Sequence, residues 1–300
     1  MHSETATPTP ETAETAEATD RSPSTRKRRP PRGFLDVELE IEPAERRRIL
    51  TEALSADDPT DDLWRLCDSG LAGQIVPELP ALRLEQDPIH RHKDVLAHTI
   101  AVTAKTSPDL LIRMAALFHD IGKPVTRSYE HGGVTFRHHE AVGAKITRAR
   151  LREMGFEKPF VADVTELVRL SGRFKGYADG WSDSAVRRYA RDAGPLLGYL
   201  NELVRCDCTT RNRAKADRLQ RQIDEMEERI VALAREDRRA AERPQIDGQA
   251  VMAHLDIPAG RDVGQALAFL LELKRAEGEL PDDEVYGRLD AWWAERQAAR

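Results

Sequence analysis

A chain of 300 residues with 40% apolar and 5% aromatic content is long enough for one large or two modest domains, and its 33% charged residues suit a helix-rich globular protein. The formal net charge of −6 excludes a surface that binds nucleic acid everywhere, so any such contact must be a local patch. Three cysteines (Cys67, Cys206, Cys208), with no signal peptide and no apolar run near the ~20 residues of a membrane span, lead to the expectation of a cytoplasmic protein without membrane contact.

Residues 1–33 are rich in Thr, Ala, Glu, Pro and Ser and turn basic over 26–32. That composition cannot bury a core, and a disordered tail is expected. The basic run could touch RNA, but a solvated tail is the simpler reading. From residue 34 the pattern is helical. Pro43 opens a segment with Ile49, Leu50, Ala53 and Leu54 on one face. Ser107 as N-cap and Pro108 at the first helical position start the helix that runs into His119-Asp120. Val142, Ile146, Ala149 and Met154 form the next stripe, closed by Gly155, and Val161, Val164, Leu167, Val168 and Ser171 the one after. Further helices begin at Ser182 or Asp183, ending at Gly194, and at Pro195. Leu219, Ile223, Met226, Ile230 and Leu233 mark a long amphipathic helix, expected to pack on an apolar surface rather than to form a dimer seam. Strand signals are nearly absent. Residues 132–136, GGVTF, read as one short strand or a loop. An all-α architecture follows.

The stretch AALFHDIGKP (115–124) carries the first chemical signal. An apolar helix ends in a histidine and a carboxylate, and a buried carboxylate without a partner costs several kcal/mol. His98 lies four residues after Asp94 and eight after His90, so the three share a face if the segment is helical. His139 opens a later helix. Leu196, Leu200, Leu203 and Asp207 are spaced by four, three and four, which sets Asp207 on a core-facing stripe. Each residue alone reads as a satisfied core or surface group. Together His98, His119, Asp120 and Asp207 read better as ligands of a divalent cation, because two imidazoles and two carboxylates around one ion satisfy every buried group. Cys206-x-Cys208 lacks the second cysteine pair that a structural zinc site would need.

With these residues on successive helices, the chain resembles the HD superfamily of metal-dependent phosphohydrolases. IHRHKDVLAHT, AALFHDIGKPVTR, FRHHEAVGAK, SDSAVRRYARDAGPLL, RCDCTTRN and IDGQAVMAHLDIPAGRDVGQAL resemble, more closely, the C-terminal HD-bearing part of actinobacterial-type CCA-adding tRNA nucleotidyltransferases, over roughly residues 40–290. The resemblance implies an HD-domain helical bundle with a helical C-terminal extension: a neck-like region over 34–89, the HD domain over 90–215 and an RNA-binding-like tail over 216–300. It implies one cation (Mg, Mn, Ni, Co or Zn) on His98, His119, Asp120 and Asp207, with His139, His90 and Asp94 supporting or binding weakly. It also implies action on cyclic phosphates or phosphomonoesters at nucleotide or RNA ends, with Lys123 as a phosphate contact, although a lysine just past a helix end is more often solvated.

Two departures qualify it. The family's catalytic head has a Gly-Gly loop and a D-x-D pair, and residues 1–33 offer neither, so nucleotide addition by this chain alone is not expected. A head encoded upstream of an assigned start would be another account of that. Where family members carry a histidine that helps hold a second metal, this chain has Ser171, so about one metal per chain is expected. A basic cluster, Arg187, Arg188 and Arg191 together with Arg205, Arg211, Arg213, Lys215 and Arg218, is the best candidate for RNA-phosphate contacts, against a solvated face with interspersed acids. The competing reading is a binding module for tRNA or RNA that uses the site structurally or works with a separate nucleotidyltransferase chain.

Overall fold

The computed structural model describes residues 39–84, 94–130, 133–210 and 212–299. The expected tail over 1–33, His90 and Arg211 lie outside the described residues.

Helix α1 (Pro43–Ser55) begins with proline, whose fixed φ suits a first turn, and buries Leu50, Ala53 and Leu54. Its C-terminal carbonyls are closed from a distance. Arg113, 1% exposed in the otherwise apolar α5 (Leu110–Phe118), donates to the carbonyl oxygens of Leu54 at 2.7 Å and Asp57 at 2.9 Å, and to that of Ala56. A guanidinium with five fixed donors can satisfy several orphan helix-end acceptors at once. Helices α2 (Thr60–Asp68) and α3 (Leu71–Ile75) follow, and then α4 (Val95–Lys105), capped by the Asp94 carboxylate on the Leu96 amide at 3.0 Å.

Helix α5 starts later than the sequence suggests. Asp109, not Ser107, is its N-cap and accepts from the Leu111 amide at 2.7 Å, while Pro108 stands before the cap. A carboxylate is the stronger acceptor at the positive end of a helix. After the short α6 (Lys123–Thr126), β1 (Ser128–Glu130) pairs antiparallel with β2 (Gly133–Thr135), Tyr129 facing Val134. The GGVTF stretch thus supplies a strand, but three residues a side leave the fold all-α.

Helix α7 (His139–Glu153) packs along α8 (Lys158–Leu170). The chain leaves α7 through Gly155 at φ +74°, a left-handed conformation that glycine adopts freely. Helices α9 (Asp183–Ala193) and α10 (Leu197–Asp207), the latter entered through a 3₁₀ turn at Gly194–Leu196, give way to the long α11 (Arg213–Ala241). The stripe of α11 packs as expected: Ile223, Met226 and Leu233 are buried in the main core, against α9 and α10. Helices α12 (Gly248–Leu255), α13 (Arg261–Glu277) and α14 (Asp282–Ala298) share a core of their own around Val251, Ala266, Leu270 and Leu289. Among the described residues no helix is long and apolar enough to cross a membrane.

One close approach positions the site. A Cβ on Gly122 would sit 2.2 Å from the carbonyl oxygen of His139 and 2.7 Å from the amide of Gly143. Only glycine lets the turn between α5 and α6 seat on the first turn of α7, which sets His119-Asp120 beside His139.

Candidate metal centre

His119 is the C-cap of α5, Asp120 follows it, Asp207 is the last residue of α10, and His98 stands one turn into α4. Two helix C-termini, each with a partial negative charge, therefore meet two carboxylates, a setting that calls for a cation.

The side chains converge. His98 Nε2 lies 2.9 Å from Asp207 Oδ1 and 3.7 Å from Asp120 Oδ2. His119 Nε2 lies 3.2 Å from Asp120 Oδ2 and 3.6 Å from Asp207 Oδ1. His139 Nε2 comes within 3.5 Å of Asp120 Oδ1. The donor atoms of His98, His119 and Asp207 all lie within 4.8 Å of one another. Asp120 joins this trio on the His119 side, but Lys123 Nζ holds its Oδ2 at 2.6 Å.

Each imidazole is oriented through its other nitrogen. Nδ1 of His119 donates to the Ala116 carbonyl at 2.7 Å and Nδ1 of His139 to the Phe136 carbonyl at 2.8 Å, while Nδ1 of His98 meets the Thr209 hydroxyl at 2.8 Å. Fixing the outer nitrogen is how metal-binding histidines are usually aimed, and the inner nitrogen of His98 points at Asp207 Oδ1. The buried Nε2 of His119 has no hydrogen-bond partner: the carboxylates are in Coulombic reach but out of alignment. An orphaned buried nitrogen is costly unless something else takes its lone pair. Two imidazoles and a carboxylate in mutual reach, a second carboxylate alongside and this orphan make a donor set that fits a divalent cation.

The electrostatics agree. Burial opposes the ionised form of Asp120, yet His119, Lys123 and His98 hold its carboxyl well below the usual carboxylate range. Burial acts against Asp207 too, and the hydrogen bond from His98 and the charge of His119 bring it down. Burial lowers the pKa of His119, but Asp120 and Asp207 outweigh it and raise the group. Burial prevails at His139, whose pKa is lowered despite Asp120 and Glu140.

The cluster floors a cleft of about 810 Å³ whose walls include Asp94, Lys123, Ser171, Phe174, Lys175, Thr209 and Lys215. Asp94 caps α4 from the rim. Lys123 is 6% exposed and ion-paired, so it is not the solvated lysine that its place past a helix end suggests. Ser171 lies in the wall, with its hydroxyl donating to the Val168 carbonyl at 2.9 Å. Of the predicted RNA-phosphate candidates that are described, Lys215 alone lines the cleft. Arg187 is held by Asp237 at 2.9 Å and Arg205 by Glu227 at 2.6 Å and Asp224 at 2.7 Å, so acids of α11 already neutralise them. Arg188 and Arg213 are exposed away from the cleft. Thr209 and Lys175 escaped the sequence reading. Thr209 could have been found two residues beyond Asp207 in RCDCTTRN. Lys175 sits in a 3₁₀ turn, Arg173–Asp179, that has no periodic signal.

A helical bundle that brings histidines and aspartates from separate helices to one cleft defines an all-α domain with a candidate cation site. The chain belongs to the HD domain family, which matches residues 95–257. It is 33% identical over 234 residues to the CC-adding tRNA nucleotidyltransferase of Thermus thermophilus, covering 75% of this chain and 50% of that protein. It is 31% identical over 257 residues to the A-adding tRNA nucleotidyltransferase of Deinococcus radiodurans, covering 83% of this chain and 58% of that protein. The chain thus spans about half the length of these curated relatives.

Proposed function

We propose that the protein is a divalent-metal phosphohydrolase for phosphoesters at nucleotide or RNA ends, of the 2′,3′-cyclic phosphodiesterase or phosphatase type. The convergence of His98 Nε2, His119 Nε2 and Asp207 Oδ1 beside Asp120 carries this reading. His98, His119, Asp120 and Asp207 would hold the cation, whose charge makes water more acidic and offsets negative charge on phosphoryl oxygens. The remaining steps fall to the chain's own groups. Lys123 keeps Asp120 ionised and stands ready to meet a phosphate. His139, with Nδ1–H committed to the Phe136 carbonyl, has its lone pair at Nε2 and can hold a proton there. The cleft, about 810 Å³ with the cluster in its lining, has room for a phosphoester.

The test is metal analysis of the purified protein together with hydrolysis of nucleoside 2′,3′-cyclic phosphates under Mn, Ni, Co, Mg and Zn. Bound metal and cleavage that both vanish in Asp120→Ala support the reading. Bound metal without cleavage of any phosphoester moves the assignment to the second reading, an RNA-holding module. That reading is favoured by likeness to two tRNA nucleotidyltransferases over 75% and 83% of the chain. A gel-shift titration with tRNA then becomes the relevant measurement.

A further inference from the structure

Three lysines reach the cleft from three elements: Lys123 from α6, Lys175 from the 3₁₀ turn after α8, and Lys215 from the first turn of α11. Their situations differ. Lys123 is buried against Asp120. Lys175, with 64% of its side chain exposed, contacts Glu140 at 3.3 Å. Lys215 is exposed, and among the described residues no ion pair engages its ammonium. Its backbone amide is already taken by the Asn212 cap at 3.1 Å, which leaves the ammonium as its free donor among the described residues. Arg205 of the adjoining α10 is neutralised by the α11 carboxylates Asp224 and Glu227. Lys215 is therefore an uncommitted positive charge on the wall of a cleft whose floor holds the His/Asp cluster.

The path between the two has its own chemistry. Asp207 ends α10, and Cys208, Thr209, Thr210 and Asn212 line the cleft from there to Lys215. Thr209 already touches His98, so this wall starts at the cluster itself. Val204 and Leu219 add apolar surface to it. A cleft of about 810 Å³ is far larger than one phosphate requires and lies toward the upper end of small-molecule sites.

We infer that Lys215 binds the phosphodiester one nucleotide upstream of the phosphoester seated at the cluster, so that the cleft favours RNA 3′ ends over single nucleotides. This rests on the phosphohydrolase reading above and assigns its substrate class. A phosphate contact by lysine positions the strand without reading its sequence, so the selection is for chain length and not for base identity.

The experiment is calorimetric titration of the metal-free protein with adenosine 3′-monophosphate and with the dinucleotide cytidylyl-adenosine 3′-phosphate, in the wild type, Lys215→Ala and Lys215→Arg. The wild type should prefer the dinucleotide about tenfold, with a steeper loss of affinity as salt rises because one more phosphate is neutralised. Lys215→Ala should bring the ratio of the two affinities close to one, and Lys215→Arg should keep it. Circular dichroism checks that both variants are folded. A preference that survives Lys215→Ala, or a wild type that binds the mononucleotide as well as the dinucleotide, overturns the inference and leaves the phosphohydrolase reading standing. Binding of neither ligand overturns the inference, and the hydrolysis assay with metal then decides the phosphohydrolase reading by itself.

Discussion

Lys123 and Asp120 form a buried ion pair, 2.6 Å from Nζ to Oδ2, and that same oxygen lies 3.2 Å from His119 Nε2 and 3.7 Å from His98 Nε2. The ammonium thus already supplies part of the positive charge that the cluster of carboxylates demands.

Lys123→Met should leave Asp120 buried without its cation and cost about 3–5 kcal/mol, the usual penalty for removing one partner of a buried pair. Added divalent metal should recover much of this, because a cation that binds only the folded chain stabilises it by mass action. Thermal unfolding with and without Mn or Ni measures both effects. A loss of stability that metal does not reduce argues against a cation site beside Asp120.

Metal stoichiometry should be about one per chain and fall to background in Asp207→Ala as in Asp120→Ala. Ser171→His, in the cleft wall, should raise it toward two. Elemental analysis after dialysis decides. Two tightly bound cations in the wild type would show that Ser171 has been misjudged.

The metal-free protein should show a pH optimum of stability set by opposing groups. Asp120 and Asp207 have lowered pKa values in the folded state. Their contribution is therefore present above the unfolded value of about 3.9 and lost as pH falls through the folded values. His119 is raised, so its contribution is complete below about 6.5 and is lost as pH rises through its folded value. Metal reverses the second limb, because a ligating imidazole must be unprotonated. Melting curves between pH 4 and 9 should fall on the alkaline side without metal, and the fall should flatten in His119→Gln. An alkaline limb unchanged in that variant would rule His119 out as its source.

Gly122→Ala should destabilise by about 1–3 kcal/mol or more, as overpacking does, because its methyl would meet main-chain atoms at 2.2 and 2.7 Å that cannot rotate away. Metal affinity should fall with it, since the same contact sets His139 against Asp120. Normal metal binding in a folded Gly122→Ala protein would show that the seating of α7 does not govern the site.

Glu78 is 0% exposed and receives both Nε and Nη2 of Arg150, at 3.0 and 2.9 Å. Glu78→Ala should cost about 3–5 kcal/mol, and Glu78→Leu combined with Arg150→Met should cost less than either single change. Denaturant unfolding of Glu78→Ala, the two single changes and the double variant checks this. Additive losses would mean that the pair is not coupled.

Much of the site was legible because it obeys helical spacing. Asp207 continues the stripe of Leu200 and Leu203, and the His119-Asp120 pair ends an apolar helix, so each polar residue stood where a core residue was due. What stayed hidden depends on tertiary contact. That Arg187 and Arg205 are neutralised is decided by carboxylates of α11 some 20 to 50 residues later in the chain. The burial of Lys123 depends on the turn that Gly122 presses against α7. The start of α5 was misplaced because Ser107, Pro108 and Asp109 all favour a helix beginning, and only the amide of Leu111 discriminates among them. Likewise β1 has no alternating pattern of its own and exists by pairing with β2.

The atoms that aim the imidazoles differ in how they respond to mutation. Ala116 and Phe136 contribute carbonyl oxygens, and every amino acid has one, so replacing either side chain leaves the acceptor for His119 or His139 in place. His98 depends on a hydroxyl that only serine could replace conservatively. The centre therefore has two corners that drift in sequence can hardly reach and a third that a single base change at Thr209 can release. Loss of function in related chains should accumulate there first.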